Sequence, residues 1–196
     1  MTGSIMLKSK IWMCAALLAA GAAMPAAAQA PNGELLGAQA KAMAALSFLD
    51  GEWAGPAEAN EPKGVLKMTQ TERSGSLLDG TIRLVEGRSF DKAGKTLFNA
   101  FAVISYDVRT SRYLITSHAS GYTTSTELKL VPNGFEWDVP AGPNARMHFS
   151  ATVKDGLWTE VGDFIGPDGT PRRTFEMKVR KLRATKWPAQ SPVKYK

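Results

Sequence analysis

Two histidines, His118 and His148, and the carboxylates Glu127, Glu160, Asp163 and Glu176 are the side chains here best suited to chemistry. A metal centre wants three or four convergent donors, and neither histidine belongs to a ligand-spaced motif. A hydrogen-bonded or solvent-facing role is expected for both. His118 shares its alternation with Leu114, which makes it the better placed of the two to face a cavity. Two carboxylates facing one cavity could exchange protons with a bound molecule. The same carboxylates lie near Arg112, Lys129, Arg172 and Lys178, so cross-strand ion pairing is the commoner reading. Tyr106, Tyr113, Tyr122 and Trp137 could line a pocket or simply fill a core. Gly94-Lys95-Thr96 ends like a phosphate loop. Such a loop needs a glycine where Ser89 stands and a helix afterwards, whereas a strand pattern begins at Thr96. No Gly-x-Ser-x-Gly turn is present.

The elements that must position these residues are mostly short strands. From Glu34 to Ser47, apolar residues recur at spacings of a helix, with frequent alanine. A glycine turn at Gly51 follows, and Trp53 sits just inside the next strand. Pro56–Gly64 reads as a loop. Strands are expected at 65–73, ended by Ser74-Gly75-Ser76, and at 77–90, interrupted by Asp79-Gly80 as a bulge or tight turn. Further strands follow at 96–106, 112–119, 123–131, 135–139, 146–154, 157–164 and 172–182. Asp155-Gly156 is the sharpest hairpin signal. In the last strand Phe175, Met177 and Val179 point inward. Residues 184–196 carry prolines and scattered lysines and read as an extended basic tail. About ten strands joined by short turns, with one helix before them, predict an all-β fold, an antiparallel up-and-down barrel. Closure removes exposed sheet edges, and a barrel of this size can hold one small ligand.

The N-terminus has a different character. Lys8 and Lys10 precede an uncharged apolar run, Ile11–Ala23, and Pro25 and Ala26-Ala27-Ala28 follow. This is a secretion leader, with cleavage expected between Ala28 and Gln29. Cleavage after Ala30 would place Pro31 at the scissile bond. The run is short of the roughly 20 apolar residues a membrane span needs, so no stable membrane insertion is expected after cleavage. The single cysteine, Cys14, leaves with the leader, so the mature chain is expected to have no disulfide. Two lysines leave as well, and the formal charge falls from +6 to +4. That mild excess does not argue for nucleic acid as a partner. The expected organisation is a leader (1–28), a lead and helix (29–47), a barrel (48–183) and a tail (184–196), in the periplasm or secreted.

Gly51-Glu52-Trp53-Ala54-Gly55 resembles the Gly-x-Trp-x-Gly motif that opens calycin-like barrels, the group of lipocalins, fatty-acid-binding proteins and nitrobindins. With Phe48-Leu49-Asp50 before it, and Ser105-Tyr106-Asp107, Arg112-Tyr113 and Gly166-Pro167-Asp168-Gly169 after it, the set resembles a family of small secreted bacterial proteins defined only as a domain of unknown function. The resemblance implies a calycin-like barrel with Trp53 plugging one end. By likeness to lipocalins, Arg180 or Arg183 would pack over that tryptophan. Nitrobindins continue the motif with a glycine where Ala57 stands. They bind haem through a late histidine that the last strand here lacks, so no cofactor is expected.

Three readings follow. The leading one is a barrel that binds a small, partly apolar ligand at Trp53, Phe101, Tyr106, His118 and Met147. The second is an enzyme that uses pocket carboxylates or a histidine on a lipid-like substrate. The third is an interaction module with a filled barrel.

Overall fold

The structure is a computed structural model that describes residues 33–188. The expected leader and its cleavage point lie outside them. Helix α1 (Gly33–Met43) is shorter than its apolar periodicity suggests and passes into a 3-10 turn, Ala44–Leu49. Ten strands follow: β1 (Gly51–Glu61), β2 (Gly64–Leu77), β3 (Ile82–Phe90), β4 (Thr96–Asp107), β5 (Arg112–Ala119), β6 (Tyr122–Val131), β7 (Gly134–Pro140), β8 (Arg146–Lys154), β9 (Leu157–Ile165) and β10 (Pro171–Arg183). Each pairs antiparallel with its neighbour in sequence, and β1 pairs with β10 to close the barrel. The expected all-β, up-and-down barrel with one N-terminal helix is the observed fold.

Two boundaries differ from expectation. Residues 56–61 are strand, not loop. Pro56 falls, with Gly55, where the β1–β10 pairing lapses between Ala54 and Ala57, so its missing N–H is tolerated. Strand β2 likewise runs through Ser74-Gly75-Ser76. Gly75 is there because the chain after β10 returns across it: a Cβ at that position would overlap the Trp187 carbonyl oxygen. The Arg73 guanidinium lies 4.4 Å from the Trp187 ring centre, holding that crossing from the side. Asp79-Gly80 belongs to the β2–β3 turn. Leu78 and Asp79 both have left-handed backbone (φ 51° and 54°), the geometry that suits a tight hairpin.

Alternation divides every strand into an inner and an outer face. The hairpin turns β2–β3, β4–β5, β6–β7 and β8–β9 gather at one end, and α1 seals it. Gln39 donates to the Tyr106 carbonyl at 2.9 Å, and the Tyr113 hydroxyl donates to the Ala42 carbonyl at 2.8 Å. Leu46 and Leu49 are fully buried beneath the helix, with Trp53, Ile104, Leu128, Trp158 and Val179 in the same core. The Trp53 indole N–H donates to the Leu49 carbonyl at 2.9 Å, tying the tryptophan to the turn that introduces it. The cation over Trp53 is Lys181, with Nζ 5.3 Å from the ring centre. It is neither Arg180 nor Arg183, because register places Lys181 directly opposite Trp53, whereas Arg183 lies opposite Glu52 and pairs with it.

Candidate functional site

The register places the expected site residues in different environments. Trp53 is 2% exposed at the closed end, where its ring meets Trp158 edge-on at 5.8 Å. Tyr106 is also at the closed end, against Tyr113. Met147 faces inward near the other end, and the Thr174 hydroxyl lies 3.9 Å from its sulfur. Phe101 and His118 sit opposite each other on the outer face, one residue out of step with the inward Ala102 and Ser117. Their inclusion in a pocket is therefore corrected. Both faces of β4 are apolar, so alternation could not choose between them. His118 is exposed, with Nδ1 3.0 Å from the Thr123 hydroxyl. His148 is also outward, 2.9 Å from Asp138.

Outside the barrel, most of the late carboxylates find cations: Glu127 with Arg112 (3.7 Å), Asp163 with Arg173 (2.6 Å) and Glu176 with Lys178 (2.6 Å). Glu160 differs. It lies opposite Ala151 and Met177, both fully buried on the inner face, so its carboxyl group points into the lumen. A second carboxyl group joins it there. Glu72, opposite Trp53 on β2, is 8% exposed. Gln70, one pleat along, donates to Glu72 Oε1 at 2.5 Å and accepts from the Ser89 hydroxyl. Opposite Glu72 stands Gly87. A Cβ there would lie 2.8 Å from Glu72 Oε1, so the missing side chain makes room for the carboxyl group.

Burial raises the Glu72 pKa well above the usual carboxylate range. The nearby Glu160 adds to this, and the Gln70 amide opposes it. Burial also pushes Glu160 up to about 8, against the Trp158 indole N–H, which is directed at it and favours its ionised form. That N–H is buried and completes no hydrogen bond of good geometry. Glu160 keeps some accessible surface although protein crowds it, because the accessible part faces the lumen.

Sequence reasoning singled out Glu160 for its type but missed Glu72, Gln70 and Ser89. In β2 the inner set Met68-Gln70-Glu72 looks no more apolar than the outer one. The available signal was Gly87, a glycine inside a strand that marks a close approach.

The far end of the barrel is open. Inward residues there retain surface: Phe98 is 42% exposed and Tyr122 77%, and Ala100, Ala119 and Thr124 are half-buried. The wall also parts beside that end. Strands β6 and β7 pair only from Leu128–Trp137 to Val131–Gly134. The slot beyond holds a hollow of about 430 Å³ bordered by the inward Thr126 and Trp137 and the outward Glu127 and His148. A second hollow, of about 510 Å³, lies on the surface near Val65, Lys67 and the β3–β4 turn, away from the acidic pair.

The architecture is thus a closed ten-stranded antiparallel barrel, sealed at one end and open at the other. Among solved structures, the crystal structure of Rv2717c from M. tuberculosis is similar to it. The TM-score is 0.56 and the identity 12%, with 72% of this chain and 98% of that one covered. At that identity the likeness speaks for the fold alone. No family model matches the chain, and a search of curated proteins found no match.

Proposed function

We propose that the barrel binds one small, partly apolar molecule in its lumen, entered from the open end, and that it does so in the periplasm or outside the cell. The observation that carries this reading is the contrast between the two ends. Most inward side chains beneath α1 are buried to within a few per cent, whereas those of β4 to β8 towards the open end keep surface. A barrel filled for stability alone would be packed throughout. The lining is suited to such a ligand, with Trp137 and Phe149 stacked at 4.8 Å, Phe175 beside them, and small residues at 100, 102, 117 and 119. The leader pattern in the sequence supports export. Among the described residues, no helix is long and apolar enough to cross a membrane.

The test is titration with N-phenyl-1-naphthylamine, a neutral dye that brightens in apolar surroundings. Saturable brightening is expected for the mature protein, weakened at least about tenfold by Ala100→Phe, which fills the lumen. No brightening, or equal brightening in that variant, overturns the reading.

A further inference from the structure

We propose that the lumen recognises the amine end of a small amphiphilic molecule, with Glu72 and Glu160 as the groups that receive it. This rests on the lumen being a ligand site and names the chemistry of its ligand.

Two acidic side chains face the same interior from β2 and β9, and no lysine or arginine pairs with either among the described residues. Cations facing the interior have other partners. Arg83 bonds to Asp50, Lys181 lies over Trp53, and Arg172, at the rim, pairs with Asp168 and covers Phe164. Glu86, which also raises Glu72, is outside the wall between Arg73 and Arg88. Among the described residues, Glu58, Glu86, Glu127, Asp138, Asp163 and Glu176 on the outer face each have a cation beside them; the two inward carboxyl groups have none. A buried carboxyl group ionises only at a cost when no cation stands beside it, so two such groups facing one interior form a site that a positive ligand would complete.

A separate observation points to a ligand at the same place. The Trp158 indole N–H is directed at Glu160 from a residue 2% exposed, and it lacks a completed hydrogen bond. The two acids rise from one aromatic floor, Glu72 beside Trp53 and Glu160 one pleat above Trp158, with the two indoles in edge contact. Trp rings are the best side-chain faces for an ammonium group. Towards the open end the lining becomes aromatic and small, which suits an apolar tail pointing outward. Because Glu160 carries its proton up to about pH 8, seating an ammonium group ionises it and releases that proton. The Gln70–Ser89 chain holds Glu72 in place whichever form it takes.

The experiment compares decylamine, decanol and decanoate by calorimetry on the full mature protein and on Glu72→Gln and Glu160→Gln. Circular dichroism reports whether each variant is folded. Decylamine is expected to bind at least about tenfold more tightly than decanol at pH 8 and to release a proton on binding. Its advantage should shrink about tenfold per pH unit below that. Each Gln variant should lose the amine preference and keep decanol. Decanol or decanoate binding as well as the amine overturns this inference and leaves the lumen reading standing. A preference that survives both substitutions does the same. If neither these compounds nor the neutral dye binds, both fail.

Discussion

Glu160 and Glu72 set a pH dependence opposite to that of the outer carboxylates. Their folded pKa values are raised, so the stability they contribute is complete below the ordinary carboxylate range. It is lost as pH climbs through about 8 for Glu160, and in the same direction for Glu72. Outside, a hydrogen bond from Lys178 lowers the Glu176 pKa. Arg88 and Arg73 lower that of Glu86 against the cost of its burial. Their contribution is complete above the ordinary range and lost only as the solution becomes strongly acidic. Stability of the ligand-free protein should therefore be greatest near pH 5 and fall towards pH 9, by up to about 1.4 kcal/mol per pH unit for each group titrating. Glu160→Gln removes one such group, flattens the slope and adds at least about 2 kcal/mol at pH 9. Urea unfolding at pH 5, 7 and 9 measures it. A stability that rises over that interval would contradict the buried placement of the pair.

At the scale of elements, the close approach of β1 to β10 has a specific requirement. A Cβ on Gly55 would overlap the Lys178 carbonyl oxygen, which is backbone and cannot swing aside. Gly55→Ala must push the closing strands apart and should cost about 2 kcal/mol or more. Gly37→Ala, on α1 with nothing within 4 Å, should be neutral or slightly stabilising. Thermal melts of the two variants compare them directly, and equal melting temperatures would mean that the seam tolerates more than its geometry allows. Strands β5 and β8 were legible to the residue: Asn144 and Gly156 punctuate the ends of the regularly alternating β8, and the Asp107–Ser111 turn and Gly121 bracket β5. The far halves of β1 and β2 were not. Pro56 and Gly75 are breakers in isolation, and each is tolerated here because of a segment distant in sequence, β10 for the first and the Trp187 crossing for the second.

Taken whole, the molecule is tight at one end and loose at the other, and amide exchange should report this. Amides of β1, β2 and β10 around Trp53 lie between paired strands over a packed core and should exchange only with global unfolding. Those of β6 from Thr123 to Glu127, and of Asp138 and Val139 in β7, border the slot and should exchange faster. Uniform protection around the barrel would argue against an opening there.

Ten strands, one helix and their antiparallel succession were readable from residue order, because alternation, turn chemistry and helical spacing act over a few neighbours; the tryptophan plugging one end was implied by the likeness to calycin-like barrels. Which carboxyl groups share the interior was not readable. The meeting of Glu72 with Glu160 depends on closure of β1 onto β10, and the outward turn of Phe101 and His118 depends on register carried around the whole ring. A shift of one residue in that register exchanges inside for outside, and only the closed sheet fixes it.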